Sequence, residues 1–164
     1  MSQPIVKVKL ESLDYLIEAI TFFGVIVLLA LPVMHYSELP GSLPRHYDAN
    51  GVPDAFGGKG IIWTLPIIGV VMYFGLLIIN RFPHTFNYPK KVTAENAEQL
   101  YKITTRLMRT MNAIIIWAIT YITFATIQTA LGYQNGLSVF FAPGLVFLVI
   151  AASGYFLKRM KKVV

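Results

Sequence analysis

Residues 61–79 read IIWTLPIIGVVMYFGLLII, a stretch without a single charged side chain. About 20 predominantly apolar residues are enough for a helix to cross the hydrocarbon core of a bilayer. A bilayer offers no water to unpaired backbone groups, so such a stretch is expected to be helical. Three further stretches share this character, at residues 15–34, 111–131 and 137–157. The sequence therefore predicts an all-α integral membrane protein with four transmembrane helices, forming one membrane domain over residues 1–164.

Composition supports this class. Hydrophobic residues make up 55% of the chain and charged residues 13%, whereas soluble domains carry about 25% charged residues. The net charge of +6 comes from basic residues beside the apolar stretches, so we expect contact with a lipid bilayer and no nucleic-acid partner. The chain has no cysteine, which excludes disulfides, thiol nucleophiles and thiolate metal sites.

The distribution of lysine and arginine predicts the orientation. Basic residues accumulate on the cytoplasmic side of membrane proteins. The N-terminal segment, residues 80–110 and the C-terminal tail together hold 12 of them, while residues 36–60 hold only Arg45 and Lys59. We therefore expect both termini in the cytoplasm, an external loop at 36–60 and a cytoplasmic segment at 80–110.

The cytoplasmic segment ends in a predicted helix start. Thr93 precedes a run with two acidic residues, which suits the amides exposed at a helix N-terminus. The third helix should therefore extend from about residue 94 into the membrane. Leu100, Ile103 and Leu107 recur on it at spacings of three and four, which predicts an apolar stripe. This stripe packs against its own bundle or forms a face for a cytoplasmic or membrane protein partner.

The external loop is rich in turn signals, among them Asn50-Gly51, Pro53-Asp54 and Gly57-Gly58. Such residues supply a fixed φ or tolerate a positive one. A loop that needs so many special conformations is expected to be ordered. Its candidate ligand residues are His46, Asp48, Gly51, Pro53 and Asp54.

This loop resembles the first external loop of the SdpI-type bacterial membrane proteins. The resemblance rests on Pro44-Arg45-His46-Tyr47-Asp48, Gly51, Pro53-Asp54 and Lys59, and further along on Asn80-Arg-Phe-Pro and Asn87-Tyr88-Pro89. It implies a location in the bacterial cytoplasmic membrane. The best-understood proteins of this type confer immunity to a secreted peptide toxin and sequester a transcriptional repressor, but they are usually longer than this chain.

Several site interpretations remain open at this stage. His46, Asp48 and Asp54, with His35 nearby, have the donor types of a divalent metal site, but the spacing fits no known ligand pattern and we predict no metal or cofactor. In the alternative, the two aspartates hold turns and His46 binds a loop carbonyl. A third interpretation keeps His46 as an exposed ligand contact.

Charged and polar residues inside the spans need partners. Glu18 lies just inside the first span and Arg109 enters the third at similar depth, so the two form an intramembrane ion pair or extend separately to the headgroups. Asn112, Thr120 and Thr123 lie near one face of the third span, which is typical of hydrogen bonds between helices. Pro32, Pro66 and Pro143 in the outer halves of three spans suggest kinks above an outward-facing cavity.

No pairing of a nucleophile with a base is visible, and we expect no enzyme. The leading interpretation is a non-enzymatic binding module that recognises a peptide toxin or envelope ligand on its external loop. The alternative is a structural or regulatory subunit that acts through the basic cytoplasmic segment. A small transporter ranks third, because the other spans offer almost no polar partners.

Overall fold

A computed structural model describes residues 3–163. Within this range the chain forms four long helices, α1 (Ser12–His35), α2 (Thr64–Ile79), α3 (Ala97–Ala130) and α4 (Phe141–Lys161). A short 3₁₀ helix at Lys59–Trp63 leads into α2, and another lies at Pro83–Thr85. By length and apolar composition, each of the four helices is able to cross a membrane, α2 together with its leading 3₁₀ helix. The predicted four-helix content is confirmed.

The outward faces of these helices carry large apolar side chains. Phe23 on α1, Phe74 on α2 and Phe147 on α4 are all more than half exposed. A soluble bundle would bury such residues, whereas hydrocarbon accommodates them. The exposed apolar surface therefore fits a lipid environment.

Successive helices run in alternating directions, so the chain has two distinct ends. The terminal end holds the N-terminal segment, residues 80–96 and the last turn of α4. The hairpin end holds residues 36–63 and the connection 131–140. Because α1 and α3 both run from the terminal end to the hairpin end, they are parallel, and their contact is the most extensive between helices.

An ionic ladder joins α1 to α3 at the terminal end. Arg106 donates from Nε to Asp14 Oδ1 at 2.7 Å and from Nη2 to Asp14 Oδ2 at 2.9 Å. Arg106 Nη2 also donates to Glu11 Oε2, which pairs with Lys102 as well. One turn further, Arg109 Nε donates to Glu18 Oε1 at 2.7 Å. Asp14 is buried, and its Oδ2 also accepts the Glu11 amide, which closes the first turn of α1.

Small residues bring the helices close together above the ladder. A Cβ on Gly24 would meet Ile116 and Trp117 of α3, and one on Gly69 of α2 would lie 2.6 Å from Leu28 of α1. Asn112 donates to the Tyr73 carbonyl at 3.3 Å, and Thr120 donates to the carbonyls of Gly24 and Ile116. Small residues and interhelical hydrogen bonds are the usual means of helix association in membranes.

The chain is not all-α, which corrects the sequence prediction. Strands β1 (Ser42–Tyr47) and β2 (Pro53–Gly58) form an antiparallel hairpin at the hairpin end. Neither strand shows the β-branched, alternating pattern that identifies strands, because the sequences SLPRHY and PDAFGG contain proline and glycine. An isolated two-stranded hairpin is marginally stable. Here Leu39 and Leu43 anchor it in a buried cluster with Ile62 and Ile127.

Several boundaries also differ from those expected. α3 begins at Ala97 because residues 94–96 form a turn, in which Asn96 Oδ1 accepts the Thr93 amide at 2.9 Å. α4 begins at Phe141, four residues later than predicted, because residues 137–140 belong to the connection from α3, in which the Leu137 amide donates to the Gly51 carbonyl of the hairpin. Pro66 and Pro143 lie in the first turns of their helices, where proline causes no kink. Of these three prolines, Pro32 alone lies beyond the first turn of its helix, so the positions of the other two do not support the expected set of three kinks.

We predict that replacing Arg106 destabilises the fold far more than replacing Lys102. Arg106→Ala leaves Asp14 buried and unpaired, and breaking a buried pair costs about 3–5 kcal/mol. Lys102→Ala removes only an exposed pair with Glu11, which contributes little. The measurement is the free energy of unfolding in mixed micelles titrated with sodium dodecyl sulfate. Equal losses in the two variants would contradict a buried role for the Arg106–Asp14 pair.

Candidate functional site at the hairpin end

The turn of the hairpin is held by Asp48. Its Oδ1 accepts the backbone amides of Asn50 and Val52, each at 2.8 Å, and its own amide donates to the Val52 carbonyl at 2.9 Å. The hydrogen bond from Val52 is the main reason that the pKa of the Asp48 carboxyl lies below its usual value. A carboxylate occupied in this way shapes the loop, so Asp48 fixes the positions of its neighbours.

His46 and Asp54 meet across the two strands. His46 Nδ1 lies 2.6 Å from Asp54 Oδ1, and the side chains are 68% and 47% exposed. Asp54 therefore partners His46, and the expectation that His46 binds a loop carbonyl is wrong for this nitrogen. The pair presents an imidazole and a carboxylate to the exterior. Such a pair donates and accepts hydrogen bonds in a fixed relative position.

The residue between Pro44 and His46 lies at an irregularity of the ladder. Pro44 pairs with Phe56 and His46 with Ala55, so Arg45 has no partner residue on β2. An extra residue of this kind bends the strand and turns its side chains. Arg45 is exposed and borders the cavity described next.

A cavity of about 340 Å³ lies beneath the hairpin. It is enclosed by strand β1, the start of α2, the hairpin-end part of α3 and Leu137, and its lining is mostly apolar. The lining side chains are Pro44, Arg45, His46, Tyr47, Ile61, Ile62, Thr64, Leu65, Ile122, Thr123, Thr126 and Leu137. The hydroxyls of Tyr47 and Thr126 lie 2.9 Å apart, joining β1 to α3. Burial raises the pKa of Tyr47, so this phenol remains protonated at neutral pH. A cavity is thus present beneath the loop, and strand β1 of the hairpin forms part of its wall.

Gly51 docks the hairpin onto the α3–α4 connection. Its φ is +80°, and a Cβ there would lie 2.3 Å from the Leu137 carbonyl oxygen. The Leu137 amide donates to the Gly51 carbonyl at 2.8 Å. Gly136, at φ +145°, packs equally closely on the same carbonyl. Both glycines are needed, because a side chain at either would separate the two loops.

The aspartates and histidines do not assemble a metal site. Within residues 3–163, no three His, Asp or Glu side chains lie close enough together to hold a metal ion. His35 Nδ1 contacts the Leu31 carbonyl of its own helix at 2.9 Å, away from the His46–Asp54 pair. Pro53 begins β2 opposite Tyr47, where it fixes the exit from the turn.

The apolar stripe of α3 lies at the terminal end and is covered by the chain itself. Leu100 and Ile103 are buried in an apolar cluster, and Leu107 packs against it. The other members come from both terminal segments and from residues 88–101. They are Val6, Val8, Tyr88, Val92, Ala97, Tyr101, Phe156, Met160 and Val163. The Tyr101 hydroxyl donates to the Pro4 carbonyl at 2.8 Å. These contacts favour the first interpretation of the stripe, in which it packs against its own bundle.

Sequence reasoning missed two parts of this arrangement. Asp14 precedes the first apolar run; it lies three residues after Glu11 and four before Glu18, while Arg106 lies four after Lys102 and three before Arg109. That shared spacing of three and four was the available signal for the whole ladder. The contact between Gly51 and Leu137 joins residues far apart in sequence, and no local sequence pattern predicts it.

The family comparison matches the part of the chain that holds the hairpin. The family described as a domain of unknown function, DUF1648, matches residues 23–70, from the middle of α1 through the hairpin into α2. An uncharacterised protein of Archaeoglobus fulgidus is 31% identical over 78 residues, which is 43% of this chain and 43% of that protein. The match thus spans less than half the length of this relative. No solved structure matches the chain.

We predict that Gly51→Ala loosens the hairpin, whereas Gly58→Ala does not. A methyl group on Gly51 clashes with the Leu137 carbonyl and strains a positive φ, while nothing lies within 4 Å of a Cβ on Gly58. Hydrogen–deuterium exchange of peptides from residues 42–58 should rise severalfold in the first variant only. Unchanged exchange in Gly51→Ala would show that the hairpin is held without this contact.

Proposed function

We propose that this chain is a non-enzymatic membrane protein of the SdpI type that binds a peptide or another envelope ligand at its hairpin end. The observation that carries the proposal is the cavity of about 340 Å³ directly beside the exposed His46–Asp54 pair. Ligand pockets in proteins fall between about 300 and 1,000 Å³ and combine an apolar lining with a few polar groups. The volume admits an apolar side chain or a short acyl segment.

The ordered frame around the cavity supports recognition of a defined ligand. Asp48 closes the turn, Leu43 anchors β1, and Gly51 docks the turn on a second loop. A frame fixed at three points loses little conformational entropy when a ligand binds, and this favours affinity. The His46–Asp54 pair then orients the ligand through hydrogen bonds, while the apolar lining of the cavity buries most of the ligand surface.

The surroundings of His46 support binding over catalysis. The hydroxyls of Thr123 and Thr126, which border the cavity, are engaged by the Ile119 carbonyl and the Tyr47 hydroxyl. Within residues 3–163, the hydrogen-bond partner of the His46 ring is Asp54. A nucleophile needs a base within hydrogen-bond reach, and neither threonine offers this arrangement.

The resemblance of this loop to that of SdpI-type proteins is what supports an immunity-like role in this proposal. The apolar stripe of α3 is one candidate face for the alternative role, a structural or regulatory subunit that acts through the basic cytoplasmic segment. Since the chain's own segments cover Leu100 and Ile103, the hairpin end remains the better supported site.

The test is photo-crosslinking from position 45 in native membranes. Arg45 is exposed and borders the cavity, so a photoreactive residue replacing it reaches a bound ligand without disturbing Tyr47. We expect a peptide or protein adduct, which mass spectrometry would identify. Adding His46→Ala should reduce its yield about tenfold, because a lost hydrogen bond to a charged group costs about 1.5 kcal/mol or more.

Val52→Ala is the matched control for this experiment. Val52 is a half-exposed side chain of the same turn that does not line the cavity, so its removal should leave the adduct unchanged. Absence of any specific adduct, or equal loss in both variants, would refute ligand binding at this end.

The proposal also places the hairpin outside the cell and both termini in the cytoplasm. The 12 basic residues counted above lie in the segments at the terminal end and in the first part of α3, against Arg45 and Lys59 at the other end, and this bias supports the orientation. Because the chain has no native cysteine, a maleimide labels only a cysteine that is introduced, and the labelling shows on which side of the membrane that position lies. We expect a membrane-impermeant maleimide to label Asn50→Cys in intact cells and Lys162→Cys only after lysis. The reverse pattern would overturn the orientation.

A further inference from the structure

A second cavity, of about 660 Å³, lies at the terminal end. The N-terminal segment, the end of α2 with the residues that follow it, and α3 enclose it. Its lining side chains include Ile5, Lys7, Glu18, Leu77, Asn80, Arg81, Phe82, His84, Thr105 and Arg109. The hairpin site does not use any of these residues.

Two buried polar atoms at this cavity have no partner. Arg109 uses Nε for Glu18, but its Nη1 is buried and has no hydrogen-bond partner among the described residues. The Arg109 side chain is only 10% exposed. Asn80 donates from Nδ2 to the Thr105 carbonyl at 3.0 Å, while its buried Oδ1 accepts nothing from residues 3–163. A buried polar group without a partner is costly, so a polar occupant of the cavity that reached either atom would be favoured.

The charges around the cavity favour an anion. Arg109 lies at its wall, and Lys7 and Arg81 are exposed at its edge. Neither Lys7 nor Arg81 forms an ion pair within the described part of the chain. Glu18 is the acidic side chain of the lining, and Arg109 already balances it. An oxyanion there would receive the Nη1 hydrogen bond and the field of two further cations.

Apolar surface lies next to this basic cluster. Leu77 ends the apolar run of α2, and Phe82 and Ile5 are 49% and 81% exposed. The cavity therefore lies where a membrane-spanning helix ends, which is the depth of lipid headgroups. Basic pockets between helices at this depth suit lipid phosphates.

We propose that this terminal cavity binds a phosphate group, supplied by an anionic phospholipid. Arg109 Nη1 donates to a phosphate oxygen, Lys7 and Arg81 add positive charge, and Phe82 contacts the glycerol or acyl region. Asn80 Oδ1 accepts a hydrogen bond from a headgroup hydroxyl, as in phosphatidylglycerol. This site is independent of the hairpin site, so each proposal stands or fails alone.

The test is native mass spectrometry of the purified full chain. Protein in detergent is mixed with equal amounts of phosphatidylglycerol and phosphatidylcholine, and the retained lipid is counted. We expect preferential retention of phosphatidylglycerol, and about tenfold less of it in Arg109→Lys, which keeps a charge for Glu18 but loses the planar donor. Lys7→Gln with Arg81→Gln, two exposed positions that do not support the fold, should weaken retention similarly.

Lys158→Gln with Lys161→Gln is the matched control. It removes the same charge from exposed positions on α4, outside the cavity, and should leave retention unchanged. Equal loss in the control pair, or no preference for phosphatidylglycerol in the unmodified chain, would overturn the proposal. A second arm adds millimolar inorganic phosphate. Displacement of the lipid would assign the cavity to a soluble phosphate group, and persistence of the lipid would confirm the phospholipid.

Discussion

The ionic ladder between α1 and α3 is the constraint on which the rest of the structure depends. In a bilayer, apolar burial does not draw helices together, so their relative height must come from specific contacts. Asp14 is buried and receives two hydrogen bonds from Arg106. Sliding either helix by one turn would break this bidentate pair and leave a charge at each end of the ladder without a partner, which is costly. The ladder thereby sets the register of the two parallel helices, and this register determines which residues enclose the cavity at each end.

The contacts above the ladder are consistent with that register. Gly24 meets Ile116 and Trp117, and Thr120 reaches the Gly24 carbonyl, so α1 and α3 approach closely along most of their length. α2 fits beside them through Gly69. α4 lies outside this core, packs mainly on α3 and exposes most of its apolar surface. The three inner helices and the hairpin therefore form the framework of both candidate sites.

Sequence reasoning predicted those features that one segment encodes by itself. Apolar length is a local property, and the four helices follow from it. The turn at Asn50-Gly51 is local too, but the strands beside it are not, because prolines and glycines there form a ladder only when Leu39 and Leu43 are anchored by the bundle. The pairing of His46 with Asp54 needs the strand register, and the docking of Gly51 on Leu137 needs the packing of distant loops. Such contacts depend on tertiary structure and cannot be read from spacing.

α3 contributes to both cavities, with Thr123 and Thr126 at one end and Thr105 and Arg109 at the other. A shared helix does not by itself couple two sites, since coupling requires an element with two alternative arrangements. An axial shift of α3 would be such an arrangement, but it would break the Arg106–Asp14 pair and separate Thr120 from Gly24. The ladder borders the terminal cavity through Glu18 and Arg109, and it opposes this shift. We therefore expect occupation of the terminal cavity to leave ligand binding at the hairpin unchanged, so that the bundle presents two separate sites on one rigid frame.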